Sequence, residues 1–362
     1  MAKYLLVGAD PAKAASLHPG GVVTLSAGLL CYAQRHGHTV EIVNTARSSF
    51  AHEPFRQILW SGLKRIGELI GHLRRERFAG VFIFVGAGFS FYERTLMSLI
   101  CRLFGVRDAF VIVDGNFFAV RQAGRFRQSV TRFLLRIPHR LAATGQKWDE
   151  LFAELGVEAR RRVRVSYWLT ADFPMATQPK QVPRDRPVHM LYLGWMTQAK
   201  GVVELLGAIA QLREDHEFTF TFVGGGTLLD TARDMIEAHG WEGRVSALGW
   251  ISAANLHALL RQADVFVLPS HAEGFPMSLI EALSSAMPAI VSDVGGVSDS
   301  LKDGINGYLV TPGSVPSLVA AMRHYLEQPE LIAPHSRAAL AAALENHYPD
   351  TNCGILFDAV AE

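Results

Sequence analysis

The sequence predicts an α/β protein built from two doubly wound domains, each a parallel sheet with helices on both faces. Three observations carry that expectation. The 362 residues exceed what one ordinary core accommodates and suit two domains. Short, wholly apolar runs alternate with helical patterns along the chain, which is how strands buried on both faces read. Charge divides near the middle: residues 1–185 carry 26 lysines and arginines against 14 acids, a net of +12, and residues 186–362 carry 9 against 20, a net of −11.

In the first half, candidate strands fall at 4–7, 39–43, 81–85, 109–113 and 163–167, with helical patterns at 22–36, 54–77, 92–104, 126–140 and 148–155. Pro174, Pro179, Pro183 and Pro187 among polar residues mark a linker over 174–187, so residues 1–173 and 188–345 are the expected domains. In the second half, strands are expected at 189–193, 219–223, 244–248, 265–268 and 289–292. Helices are expected at 202–213, 228–238, 253–262, 278–284 and 317–327. Sheets wound in this way bind ligands at the carboxyl ends of their strands.

Hydrophobic residues make up 49% and charged residues 19%, a globular composition. Three scattered cysteines, Cys31, Cys101 and Cys353, form neither a disulfide framework nor a metal-ligand spacing. The opening apolar run is too short for a signal peptide, and no stretch approaches the ~20 residues of a membrane span. A cytoplasmic protein is therefore expected. No Asp-x-Asp metal motif, Gly-x-Ser-x-Gly element or Walker-type loop occurs, so no divalent ion and no cofactor is expected.

The strongest chemical signal begins at Ala263: Ala-Asp-Val-Phe-Val-Leu-Pro-Ser-His-Ala-Glu-Gly-Phe-Pro-Met-Ser-Leu-Ile-Glu-Ala. A buried strand ends at Pro269, and a loop leads to a helix starting near Met277. Helix-start amides suit a phosphate or a sugar hydroxyl. Glu273 precedes that start and Glu281 lies about one turn inside. Each could accept paired hydrogen bonds from vicinal hydroxyls, or each could be an ordinary helix carboxylate. Upstream stands Tyr192-Leu-Gly194-Trp195-Met-Thr-Gln-Ala-Lys200-Gly201, where Lys200 is either an anion ligand or a solvated loop lysine. Gly224-Gly225-Gly226 is a tight turn or a close backbone approach. Trp250, after Leu248-Gly249, is core or ligand-facing. In the first half, Gly20-Gly21 opens a helix, and Asp114 in Val-Asp-Gly-Asn follows a strand as either a turn residue or a general base.

Together these segments resemble glycosyltransferase family 4, the retaining group 1 glycosyl transferases of the GT-B fold, in which two Rossmann-like domains face each other across a cleft. The resemblance spans nearly the whole chain and is strongest over 189–313. It includes Ala-Leu-Ser-Ser-Ala-Met-Pro-Ala-Ile-Val-Ser-Asp-Val-Gly-Gly and Asp-Gly-Ile-Asn-Gly-Tyr-Leu-Val after Glu281. It implies a nucleotide-sugar donor (UDP-, GDP- or ADP-sugar) in the second domain and a glycan or glycolipid acceptor in the first. Glu273 would touch the transferred sugar, Glu281 the ribose hydroxyls, and Lys200 the diphosphate. Gly194, Trp195, Gly224, Gly225, Trp250, Gly274, Phe275 and Pro276 would line the donor, with Gly20 and Gly21 near its phosphates. Residues 346–362 would pack back on the first domain. Two positions depart from the pattern: Trp195 replaces an arginine that clamps the diphosphate, and Asp114 stands where many relatives have histidine.

The basic half carries two amphipathic patterns. Ile66, Leu69, Ile70 and Leu73 share one face of the first. In the second, Arg125, Arg132, Arg136 and Arg140 line a stripe opposite Phe126, Val130, Phe133, Leu134 and Ile137. They read either as solvated helices or as attachment to an anionic membrane surface on the inner face of the cytoplasmic membrane. No nucleic-acid module accompanies the charge. The rival readings are another GT-B activity, such as a nucleotide-sugar epimerase or sugar phosphorylase, and a non-catalytic sugar-nucleotide binding module.

Overall fold

The structure, a computed structural model, describes residues 2–14, 21–46, 54–170, 172–181 and 185–361. It divides into one unit of residues 1–172 plus 348–362 and a second unit of residues 173–347.

The first unit runs β1 (Lys3–Gly8), α1 (Pro11–Ala14), α2 (Gly21–Arg35), β2 (Thr39–Asn44), α3 (Phe55–Arg75), β3 (Gly80–Val85), α4 (Phe89–Leu103) and β4 (Asp108–Ile112). A 3₁₀ helix (Gly115–Gln122) then leads to α5 (Arg125–Leu134), β5 (Arg140–Thr144), α6 (Gln146–Glu154) and β6 (Arg162–Val165). Its six strands are parallel, in the order β2-β1-β3-β4-β5-β6. Gly-Val-Phe-Ile-Phe-Val of β3 is buried at every residue, as a strand with both faces covered must be.

The second unit runs β7 (Val188–Leu193), α7 (Val202–Leu212), β8 (Phe218–Val223), α8 (Leu229–Ala238), β9 (Val245–Ala247), α9 (Ala253–Gln262) and β10 (Val265–Leu268). There follow α10 (Met277–Ser284), β11 (Ala289–Ser292), α11 (Val297–Ser300), β12 (Gly307–Val310), α12 (Val315–Glu327) and α13 (Ile332–Asn346). Its strand order is β12-β11-β10-β7-β8-β9, all parallel. The chain builds rightward from β7, then returns to lay β10 on the other side. Loops after β7 and β10 therefore diverge, opening a crevice at the carboxyl ends of those two strands.

The last helix, α14 (Pro349–Ala361), belongs to the first unit. Phe357 packs its ring 4.7 Å from Tyr4 and 4.7 Å from Phe82, and Arg35 pairs with Asp350. A Cβ at Gly80 would lie 2.4 Å from Val360, so only glycine lets α14 settle on β3. On the other side of this unit, Arg65 grips Glu93 with two hydrogen bonds of 2.8 and 3.1 Å. Buried Arg94 meets the same carboxylate at 2.8 Å.

Four elements depart from expectation. The second amphipathic helix stops at Leu134 instead of Arg140, because Pro138 ends helical geometry ahead of it. Its continuation, Arg140–Thr144, is strand β5, hidden in the sequence by small residues with weak strand preference. Phe126 and Phe133, placed by the sequence on the face opposite the arginine stripe, are 83% and 65% exposed, while Thr131 and Leu135 turn inward. β12 and the alanine-rich α13 were also not expected. Alanine gives little contrast between buried and exposed faces, so α13 shows no apolar stripe.

Candidate functional site

The crevice of the second unit is built by four loops, each leaving the carboxyl end of a strand. After β7, Gly194 donates its amide to Val223 O (3.0 Å) and Met196 to Gly225 O (2.8 Å), which locks this loop to the glycine turn after β8. The glycines make that contact sterically possible. Gly224 has φ 132°, and a Cβ there would lie 1.8 Å from Gly194 O. A Cβ on Gly225 would lie 2.5 Å from Trp250 Nε1. Their first requirement is thus packing inside the protein.

Trp250, after β9, and Trp195, after β7, are both half-buried, with rings edge-to-face at 5.1 Å and 78°. The Tyr192 hydroxyl donates to Trp195 O at 2.8 Å and fixes the tryptophan's backbone. Burial, reinforced by the nearby Glu273 charge, pushes that phenol far above its usual range and keeps it a neutral donor.

Lys200 and Glu273 come from different sides of the switch point and meet. Lys200 Nζ lies 2.5 Å from Glu273 Oε1, and Ser270 Oγ donates to the same oxygen at 2.7 Å. The carboxylate is only 8% exposed, so its charge is matched by two donors. Their loops are tied together through the backbone. Gly201, the N-cap of α7, sits at φ 70°, ψ 24°, and a Cβ there would be 2.0 Å from Pro269 O. His271 donates its amide to Ala199 O (2.9 Å), and its ring meets Glu204 at 2.9 Å. Behind the loop, Gly296 donates to Gly274 O (2.9 Å). Gly295, at φ 54°, passes so close that a Cβ would be 2.1 Å from Glu273 O.

Phe275 and Pro276 are buried. The Phe275 ring lies 5.3 Å from His347, so its side chain packs into the unit, and Pro276 is the N-cap of α10. Glu281 stands on the fifth residue of α10, half-buried, with no hydrogen-bond or ion-pair partner among the described residues. Burial pushes its carboxyl up to about 7.

In the first unit, Asp114 caps the 3₁₀ helix. Its Oδ1 accepts from Asn116 N (3.0 Å) and Asn116 Nδ2 (2.9 Å), and its Oδ2 accepts from Ala87 N (3.0 Å). That geometry is the turn role. Gly21 is the first residue of α2, and Gly20 lies outside the described residues.

The arrangement of the second unit gathers Gly194, Trp195, Lys200, Gly224, Gly225, Trp250, Glu273, Gly274 and Glu281 at the carboxyl ends of β7, β8, β9 and β10. A family model for "Glycosyl transferases group 1" matches residues 175–342, almost the whole of this unit. Residues 175–342 are similar to the group 1 glycosyl transferases.

Glycogen synthase from Mycobacterium tuberculosis is 34% identical over 158 residues, 43% of this chain and 38% of that protein. The chain thus spans about two fifths of the length of that relative. Sucrose-phosphate synthase from Thermosynechococcus elongatus superposes with a TM-score of 0.78 at 16% identity, covering 98% of this chain and 96% of that one. Anabaena HepE in complex with UDP-glucose superposes at 0.73 and 16% identity, covering both chains completely. At such identities the likeness is one of fold, and the fold is GT-B: two Rossmann-like α/β units with parallel six-stranded sheets.

Within the second unit, several site-forming residues had no assigned role in the sequence reading. Ser270 follows Pro269 directly and polarises Glu273. Gly201, Gly226 and Gly295 have positive φ and face backbone carbonyls. Glycine after a strand end was the available signal, but only packing shows which backbone each one admits.

Proposed function

We propose that this protein is a retaining glycosyltransferase of family 4. It moves a sugar from a nucleotide-sugar donor to a glycan or lipid-linked glycan acceptor without a metal ion. The Lys200–Glu273 pair at the switch point of a unit similar to the group 1 glycosyl transferases is the observation that carries this reading.

A lysine has three donors, and Glu273 uses one, so Lys200 can also hold a diphosphate oxygen. Charge grows on that diphosphate as the glycosidic bond breaks, and an ammonium already fixed in place stabilises it without reorganising. Glu273 takes hydroxyls of the transferred sugar on its second oxygen. Glu281 accepts from the ribose diol, and the half-buried Trp195–Trp250 pair offers a ring face to the base. The leaving phosphate assists removal of the acceptor proton on the same face of the sugar. Asp114, which accepts three hydrogen bonds from Ala87 and Asn116, takes no proton in this scheme. HepE, a structure with the same fold, holds UDP-glucose, which supports a nucleotide-sugar donor here.

A thermal-shift panel of UDP-, GDP-, ADP- and dTDP-sugars tests the reading. The matching donor at 100 times its dissociation constant stabilises the domain by ~2.7 kcal/mol. No response to any of the four removes the proposal. Trp195, standing where the family places an arginine, favours a second reading in which the domain binds donor without transferring it. Saturable donor binding with no turnover on a pool of lipid-linked acceptors decides for that reading.

We further propose that the first unit meets an anionic membrane surface. Exposed Leu59, Trp60 and Leu63 beside Lys64 on α3, and Phe126 and Phe133 among Arg125, Arg127 and Arg132 on α5, give the apolar-plus-basic surface of an interfacial helix.

A further inference from the structure

The first unit also contains a cavity that the proposed transfer does not use. It lies at the amino ends of β4, β5 and β6, the opposite edge of the sheet from Asp114, and has a volume of about 480 Å³. Six arginines line it: Arg102, Arg107, Arg136, Arg140, Arg160 and Arg161. Among the described residues the one acid in its lining is Asp108, which is buried, and burial pushes its carboxyl up to about 7. Burial, then the nearby arginines, hold His139 below its usual range.

Several of these guanidinium groups are held in position. Arg107 donates to Ala361 O at 2.7 Å and Arg140 to Ala359 O at 3.4 Å, so the last carbonyls of α14 orient both. Arg161 donates to Leu135 O at 2.9 Å and also to Pro138 O. Arg102 and Arg136 are exposed and have no hydrogen-bond or ion-pair partner among the described residues. Deeper in, Asp108 Oδ2 and His139 Nε2 are buried without partners. Like charges gathered in one cavity repel each other, and unpartnered buried polar atoms carry a desolvation cost. A phosphate-bearing ligand removes the repulsion, since planar guanidinium forks match its oxygens in pairs. The volume falls in the range of small-ligand sites.

We propose that this cavity binds an anion carrying two or more phosphate charges, in a unit other than the one holding the donor site. The chemistry is shared by a free diphosphate and by an anionic lipid headgroup. The proposal stands whether or not the transferase reading does, because it uses none of the same residues.

The test titrates inorganic pyrophosphate by calorimetry at low salt in phosphate-free buffer, with Lys200→Gln in every sample to silence the second unit. The Arg102→Gln/Arg136→Gln double variant should bind about tenfold more weakly or worse. Neither side chain has a partner to lose, so the fold is expected to stay intact. Arg125→Gln/Arg127→Gln removes the same charge from α5 and should leave binding within about twofold of the parent. A lipid source shows itself differently: the parent floats with phosphatidylglycerol vesicles and not with phosphatidylcholine, and the cavity double variant loses more flotation than the α5 variant, whose loss is only the surface contribution of two arginines. Equal effects of the two double variants on both ligands, or no binding of either ligand by the parent, overturn the proposal.

Discussion

Lys200 and Glu273 are 73 positions apart in the chain and share one hydrogen bond, so each substitution tests a different part of the proposed chemistry. Lys200→Ala is expected to lower kcat by about a hundredfold, or ~3 kcal/mol, with a smaller change in KM, because its contact strengthens as leaving-group charge develops. Steady-state kinetics with the matching donor read this out, and an unchanged kcat removes Lys200 from the mechanism. Glu281 makes a different prediction. Its folded carboxyl titrates near 7 against an ordinary value of 4.5. Between those values the folded state keeps a proton that the unfolded state has released, so this group's contribution to stability falls as pH rises through that window. Glu281→Gln cannot titrate and gains on wild type by about 2 kcal/mol between pH 5 and 7.5, measured by urea unfolding of the second unit. A constant difference across that range means the carboxyl is not perturbed. Glu281→Ala should also weaken nucleotide binding, while Glu273→Ala mainly reduces transfer.

Among the elements, α3 and α4 are joined through Glu93. One carboxylate serves two arginines, and Arg94 is buried, with burial lowering its pKa. Glu93→Ala leaves Arg94 without its counter-charge and is expected to cost about 3–5 kcal/mol in urea unfolding of the first unit. A loss below ~1 kcal/mol would mean Arg94 reaches water in the variant. At this scale the sequence was legible where apolar runs were long: β3, β4, β7 and β10 lie within two residues of their expected bounds. It was illegible at β5, where Leu-Ala-Ala-Thr resembles the tail of a basic helix, and at α13, where alanine hides the buried face. In both cases position in the sheet or against α10, and not local preference, decides the conformation.

At the level of the whole molecule, the charge division remains the feature that composition shows best. No helix among the described residues is long and apolar enough to cross a membrane, so the membrane reading rests on surface chemistry. Vesicle flotation at low salt should retain the protein on anionic lipid and release it on raising salt, with each basic residue near the surface contributing ~1 kcal/mol. Phe126→Ser/Phe133→Ser should reduce retention at constant net charge. Equal behaviour on neutral and anionic vesicles ends that reading.

By itself the sequence determined the α/β class and the alternation of strands and helices, and it singled out the two glutamates and Lys200 as candidates, because burial on both faces and glycine-marked strand ends leave local signatures. Tertiary structure alone decided that Lys200 and Glu273 meet, that Asp114 accepts from the distant amide of Ala87, and that Phe126 and Phe133 face outward. The physical reason is the strand order. β7 and β10 are neighbours only because the chain reverses its winding between β9 and β10, and no local pattern encodes that reversal.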